Sequence, residues 1–368
     1  MDYNLKYDEK AVFALRALYG TYGYTQYKMN KFEEYDLYVR NKDFLISDAV
    51  ITFTDTNGKL MAMKPDVTFS IIKDSDDKSS GVQKLYYNEN VYRVSQHTGS
   101  FKEIMQVGLE CIGDVDAYCI YEVLMLAAKS LKTMSESFVL DISHMGIIAA
   151  IIDGLDISKN QSSQLLKSIE SKNVHELEAL CTRFQIDTNS EQVLKQLILN
   201  YGAPKEVLPK LEAILKDTPA YEAFLEFQTI LSAAQGSEIE NMLRIDFSVI
   251  NDIKYYNGFI FKGFIEGIPA SVLSGGQYDK LMQKMKRKSG AIGFAVYLDM
   301  LERYEKPQKG YDVDTVLIYD ESADVKSVKR AVSLLSKKAS VLAVRQLPQD
   351  LNYRTLAKLK NGEVSIVE

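Results

Sequence analysis

The sequence predicts an α+β fold, an antiparallel sheet with helices that is split by a helical insertion and followed by a small α/β module. Three observations predict it. DAVITFTDTNGKLMAMKPDVTF, residues 48–69, alternates apolar and polar residues on both sides of Asn57-Gly58, a strong hairpin signal. Residues 147–236 place leucines at three- and four-residue intervals and hold no convincing strand. Residues 311–368 alternate strand-like and helix-like segments.

Taken in order, DEKAVFALRALYGTYG sets Val12, Leu15, Leu18 and Tyr19 at helical spacing and stops at Gly20 or Gly23. After the aromatic-rich KFEEYDLYV and the Asn-Gly hairpin, VQKLYYNENVYRV and SFKEIMQVGLECIGD read as two strands joined by the loop Ser95 to Ser100. The insertion, with SSQLLKSIESKNVHELEALCTRF and SEQVLKQLILNYGAP, reads as a small helical bundle. ASVLSGGQYDKL then reads as a strand, a Gly-Gly turn and a helix start, and AIGFAVYLDMLERY as a Gly-opened apolar helix. In the last segment DTVLIYD, SVLAVRQL and EVSIVE read as strands, and SADVKSVKRAVSLLSKK and LNYRTLAKLKNG as helices. The expected domains are a core of residues 1–146 and 237–308, an insertion of 147–236, and a C-terminal module of 311–368 too small for an independent core.

Composition narrows the function. The 368 residues carry a net charge of −6, whereas a nucleic-acid binder usually shows a basic excess. KLMQKMKRKSG, residues 280–290, reads as a solvated helix end and loop. Three cysteines without CxxC spacing and three histidines far apart offer neither a disulfide framework nor a zinc pattern. A polar N-terminus and an apolar stretch no longer than MGIIAAIIDGL predict no secretory signal, no membrane span and a reduced, cytoplasmic location.

Several residues stand out as candidates for binding. If SFKEIMQVGLECIGD alternates, Gln106, Gly108 and Glu110 share a face, making a slot with two polar ends and room above Gly108. A polar edge strand would give the same pattern. Arg93 on the partner strand is suited to clamping a carboxylate or phosphate, or to a structural ion pair. In MKPDVTF, Asp66 and Thr68 share a face if the segment is extended and would then hold an ammonium group; otherwise they open a turn or helix. In NDIKYYNGFIFKGF, Tyr255 and Tyr256 sit before an apolar run like a pocket wall, and Tyr278 follows the glycines of GGQYD.

In their joint order, MKPDVT, YRVSQHTGSFKEIMQVGLECIG, IKYYNGFIF, GGQYDKL and AIGFAVYLDML make the chain resemble histidyl-tRNA synthetase, a class II aminoacyl-tRNA synthetase, over nearly its whole length. The second segment resembles motif 2 and the last motif 3. The resemblance implies that Asp66, Thr68, Arg93, Gln106, Glu110, Tyr255, Tyr256 and Tyr278 line a histidine pocket, and that residues 311–368 are a truncated anticodon-binding-like module. The departures fall elsewhere. Asn251-Asp252-Ile253-Lys254 stands where the synthetase has an arginine followed by Gly-Leu-Asp. Met300 replaces the arginine on the ATP triphosphate, Tyr297 replaces the glycine that leaves space for adenine, and Ser100 and Gln277 occupy positions where arginine is usual. Arginines on a transferring phosphoryl group can be worth roughly 10³–10⁵ in rate, so their loss removes amino-acid activation.

A histidine pocket without ATP machinery resembles the regulatory subunits of ATP phosphoribosyltransferase. That resemblance implies no catalysis, cofactor or metal. It implies self-association as a dimer, a hetero-oligomer of four regulatory and four short catalytic chains, and L-histidine as inhibitory effector in histidine biosynthesis. An active histidyl-tRNA synthetase and a histidine-sensing or scaffold paralogue with another partner are the alternatives.

Overall fold

A long antiparallel hairpin organises the sheet. Residues Val82–Val94 and Phe101–Gly113 pair along their whole length, from Val82 opposite Gly113 to Val94 opposite Phe101. The computed structural model describes residues 7–41, 50–75, 81–94, 99–250, 256–302, 311–337 and 339–367. They divide between two compact units, residues 7–304 and a C-terminal unit whose described part is 311–367.

The first unit opens with α1 (Tyr7–Thr21), β1 (Thr25–Gln26), β2 (Phe32–Glu34), α2 (Tyr35–Val39), β3 (Thr52–Thr54), β4 (Leu60–Met63) and α3 (Thr68–Asp74). The hairpin strands β5 (Val82–Val94) and β6 (Phe101–Gly113) follow, then α4 (Ala117–Met134) and β7 (Phe138–His144). Six helices come next: α5 (Met145–Asp153), α6 (Lys159–Glu170), α7 (Val174–Phe184), α8 (Thr188–Leu199), α9 (Pro204–Leu215) and α10 (Tyr221–Ala233). The unit closes with β8 (Leu243–Ile245), β9 (Phe259–Ile265), β10 (Leu273–Gln277), α11 (Asp279–Lys284), β11 (Gly290–Tyr297) and α12 (Asp299–Glu302).

Eight strands form one sheet in the order β1-β5-β6-β11-β10-β9-β7-β8. Its six central strands are antiparallel, as expected, but both edge pairs, β1 with β5 and β7 with β8, are parallel. The helical insertion explains the second of these. A parallel return needs a long crossover, and α5–α10 supply it between β7 and β8. The sequence caps these helices individually: Ser158, Asn173 and Asp187 each accept a backbone amide at the first turn of α6, α7 and α8, and Pro204 opens α9. Leu177, Leu194, Leu211 and Phe227 of the insertion share one apolar cluster with Leu126 and Leu131 of α4 and Leu109, Phe261 and Phe294 of the sheet. A separate three-stranded sheet, β2-β4-β3, carries the Asn57-Gly58 hairpin, where Asp55 Oδ1 accepts the amides of Asn57 and Lys59.

Three expectations are corrected here. Gly275-Gly276 lies inside β10 rather than in a turn. The glycines are there for space: a Cβ at Gly275 would overlap Phe294 and the carbonyl of Gly293, and one at Gly276 would overlap the ring of Tyr256. AIGFAVY is the strand β11, flanked by β6 and β10 and largely buried, and among the described residues of this segment Asp299–Glu302 are helical. A strand covered on both faces is apolar throughout, which mimics a buried helix in sequence.

The third correction falls in the C-terminal unit, built from β12 (Val313–Tyr319), α13 (Val325–Leu335), β13 (Val341–Val344), β14 (Tyr353–Lys360) and β15 (Glu363–Ile366). Here YRTLAKLK is a strand and not a helix. It pairs in parallel with β12 and antiparallel with β15, giving the order β13-β12-β14-β15. Ala357 and Leu359 pack with Leu317 and Ala331, Leu356 packs with Val313 and Val316, and tertiary pairing overrides the helix-forming Lys, Ala and Leu.

Gly275→Ala is expected to destabilise the first unit by about 1–3 kcal/mol through overpacking between strands. Gly20→Ala near the end of α1, where nothing lies within 4 Å of the added carbon, should be neutral or stabilising. Urea unfolding midpoints of the two variants at unchanged slope check this contrast.

Candidate functional site

Alternation along β6 sends Val107, Leu109 and Cys111 into the core under α1 and α4, and Gln106, Gly108 and Glu110 to the opposite face. Both polar residues are buried there, Gln106 at 3% and Glu110 at 2% exposure. Unpaired burial of a carboxyl is costly, so the partners of Glu110 decide what the site is. Thr68 Oγ1 donates to Glu110 Oε1 at 2.9 Å, and the Tyr278 hydroxyl donates to Oε2 at 2.5 Å. The carboxyl lies across β11 over Gly293, where any Cβ would overlap Oε2. Burial pushes the Glu110 carboxyl up to about 8, the Tyr278 and Thr68 hydrogen bonds oppose that rise, and Asp66 adds to it.

The Asp66–Thr68 segment is not extended. Val67 is already in the right-handed helical region and Thr68 opens α3, so the segment takes the helix-opening alternative, with Asp66 Oδ1 accepting the amide of Phe69 at 3.3 Å. The turn still delivers both side chains to the Glu110 face. Burial raises the Asp66 carboxyl, and the Arg93 guanidinium pulls the other way. Arg93 itself is anchored from β5 by donating its Nε–H to the Pro65 carbonyl at 3.0 Å. The cation thus leans on the segment that carries Asp66.

The expected open space above Gly108 does not exist. Tyr87, directly opposite on β5, lays its hydroxyl end where a Gly108 side chain would be. An aromatic residue covering a cross-strand glycine fills the slot between Gln106 and Glu110. Sequence reasoning missed Tyr87, although the register of the hairpin, with Val94 opposite Phe101, was enough to place it. Beside it, Tyr297 of β11 is opposite Gln106. Burial raises the Tyr297 hydroxyl, and the opposing influences of Arg93 and Asp66 place it near both; it is also hydrogen-bonded to Ser274. Burial likewise holds the Tyr256 hydroxyl far up, with further contributions from Tyr297, Glu110 and Asp66. Asp66, Thr68, Arg93, Gln106, Glu110, Tyr256 and Tyr278 therefore come to one sheet face, together with Tyr87 and Tyr297. Tyr255, with Asn251 to Lys254, lies outside the described residues.

Chemically this is a buried cluster of two carboxyls, one guanidinium and several phenols. It offers acceptors to an ammonium or ring N–H and a cation to a carboxylate. No group of three His, Cys, Asp or Glu among the described residues is placed to hold a metal, and no described helix is long and apolar enough to cross a membrane.

The family model described as histidyl-tRNA synthetase matches residues 4–301. The chain belongs to the histidyl-tRNA synthetase family. Within the family's known members it is 28% identical over 284 residues to the ATP phosphoribosyltransferase regulatory subunit of Oceanobacillus iheyensis, covering 76% of this chain and 70% of that one. Among solved structures it resembles an ATP phosphoribosyltransferase regulatory subunit/histidyl-tRNA synthetase from Bacillus halodurans, with a TM-score of 0.80 at 21% identity over 96% of this chain and 93% of that one. It also resembles a chain of the ATP phosphoribosyl transferase (HisG:HisZ) complex from Thermotoga maritima, with a TM-score of 0.63 at 22% identity over 81% of this chain and 98% of that one. The two structural likenesses show the fold, a class II synthetase-like mixed sheet.

The raised Glu110 carboxyl has a consequence for stability. The folded chain holds a proton there that the unfolded chain has already released between its ordinary 4.5 and about 8. Stability from this group is therefore lost as pH rises through that window, at a slope of up to about 1.4 kcal/mol per pH unit. Glu110→Gln should flatten this segment of the stability–pH profile measured by urea unfolding. An unchanged slope would show that Glu110 does not carry it.

Proposed function

We propose that this chain is the regulatory subunit of an ATP phosphoribosyltransferase, binding free L-histidine on the Glu110 face and passing inhibition to a short catalytic chain. The observation that carries the reading is a contrast within one sheet face. The polar residues that the family's histidine pocket uses converge around Glu110, while the positions used for ATP are filled by other chemistry. Tyr297 takes up the sheet face beside Gln106, where the synthetase leaves space for adenine. Met300 packs with the apolar core where the synthetase carries an arginine. The regulatory-subunit relatives support the same reading.

In this account the proton that burial keeps on Glu110 passes to the imidazole as histidine binds, and the resulting carboxylate accepts the ring N–H, with Thr68 and Tyr278 holding it in place. Asp66 and Gln106 meet the ammonium group, and Arg93 meets the carboxylate. Tyr256 lines the ring; Tyr255, outside the described residues, is assigned to the same lining by the family resemblance alone. The chain does no chemistry itself. It assembles as a dimer within a hetero-oligomer of four regulatory and four catalytic chains, and histidine shifts the packing with a coupling of typically 1–3 kcal/mol. Family membership also admits an active synthetase. A histidine-dependent ATP–pyrophosphate exchange assay separates the two readings, with no exchange expected here.

Glu110→Ala is expected to weaken histidine inhibition of the assembled transferase by roughly ten- to a hundredfold, the worth of one charge-assisted bond. Assembly itself should be little changed. Inhibition curves and sedimentation of the complex check both parts, and failure of assembly in the variant would assign Glu110 a structural role instead.

A further inference from the structure

A second polar cleft opens beside the strands that carry the Glu110 pocket. It has a volume of about 450 Å³ and is lined by His144 at the end of β7, Glu222 and Glu226 of α10, Asn257 and Gly258 before β9, and Gln277 at the end of β10. Asn257 and Gln277 each follow or precede a pocket tyrosine in sequence, but they belong to a different network.

That network fixes which way the two amides are turned. Asp279 Oδ2 accepts from Asn257 Nδ2 at 2.9 Å and from Gln277 Nε2 at 3.0 Å. A carboxylate only accepts, so both amides must turn their NH₂ groups to it. Flipping either amide would set a carbonyl against the carboxylate. Both carbonyl oxygens, Asn257 Oδ1 and Gln277 Oε1, are consequently left buried without a hydrogen-bond partner among the described residues. Such orphan acceptors are rare in folded proteins and each costs roughly 1–3 kcal/mol when nothing fills it.

His144 is the third unfilled group. It is 2% exposed and held edge-on by Phe227 and Phe259, with ring centroids 5.8 and 4.9 Å away. Neither ring nitrogen has a hydrogen-bond partner, because the nearest carboxylate, Glu226 Oε2, stands 3.6 Å from Nε2. At 3.6 Å the two atoms are in loose ion-pair range, too far for a direct hydrogen bond and too close to seat a bridging atom. Gly146 keeps the other edge of the ring clear, since a side chain there would press on Cε1 and Nδ1. Glu222 and Glu226, one turn apart on α10, add negative charge at the mouth.

We infer that this cleft is a binding site for an organic cation rich in N–H donors, a guanidinium or primary ammonium group. Glu222 and Glu226 accept its hydrogen bonds at the mouth, and the enclosed amide oxygens and His144 accept the rest once the lining shifts to admit the cation. An anion would meet two carboxylates and two carbonyl dipoles, and an apolar group would leave every acceptor unpaired. The cation comes either from a free small molecule or from an arginine or lysine side chain of a protein partner. Nothing in this inference depends on histidine binding at Glu110.

The test uses the full chain labelled with ¹⁵N at its three histidines, the His144 resonances being assigned by replacing the other two. Titration with methylguanidinium chloride at constant ionic strength should shift the His144 signals saturably, and tetramethylammonium, which has no N–H, should not. The double substitution Glu222→Gln with Glu226→Gln, on an exposed helix face, should weaken the methylguanidinium response roughly tenfold or more. Saturation well below about 1 mM assigns the site to a free metabolite. Saturation only near about 10 mM, with the double variant co-purifying less with the short catalytic chain, assigns it to a partner's side chain. Equal responses to both cations, or a shift that survives the double substitution unchanged, would overturn the site, and both readouts stand even if no catalytic chain binds.

Discussion

The carboxyl of Glu110 is buried in the middle of a sheet, and the surrounding structure is arranged so that it can stay there. β11 carries Gly293 directly beneath it, α3 begins at Thr68 to bring a hydroxyl to one oxygen, and β10 ends so that Tyr278 reaches the other. A fully buried acid is tolerated when its oxygens are satisfied, and its residual cost is carried as a proton retained to about pH 8. A group kept at such cost, with Asp66 close enough to raise it further, marks a binding site more readily than a packing site. The rest of the first unit serves to hold this one sheet face steady: α1 and α4 cover the back, and the insertion packs against the edge that it connects.

Much of this was legible in the sequence because it depends on local rules. The Asn57-Gly58 hairpin, the β5–β6 pair and the leucine-spaced insertion each follow from period and turn chemistry. Gln106 and Glu110 fall on one face of β6 because strand alternation leaves no other choice. The failures share a cause as well. AIGFAVY and YRTLAKLK are strands because neighbours on both sides pair with them, and a sequence pattern does not report neighbours. Gly275-Gly276 looked like a turn because small residues mark turns, but here they mark the close approach of Phe294 and Tyr256. Tyr87 over Gly108 closed a slot that alternation alone predicted to be open.

Two polar networks are built on the same strand ends. Tyr256 and Tyr278 belong to the Glu110 cluster, whereas their neighbours Asn257 and Gln277 turn their NH₂ groups to Asp279 and leave their oxygens buried without a partner among the described residues. The two networks thus use neighbouring residues of the same strands, a contiguous arrangement of the kind through which binding at two sites can be coupled. Such coupling requires that binding at one cleft changes the free energy of binding at the other, and β9 and β10 are the elements both would bias.

The account rests on recognition of free histidine without its activation. Isothermal titration of the purified chain with L-histidine, alone and with ATP and magnesium, tests it most directly. It predicts saturable heat at about one histidine per chain with affinity on the order of micromolar, unchanged by the nucleotide. Absence of heat at millimolar histidine, or binding that tightens with ATP and releases pyrophosphate, would contradict it.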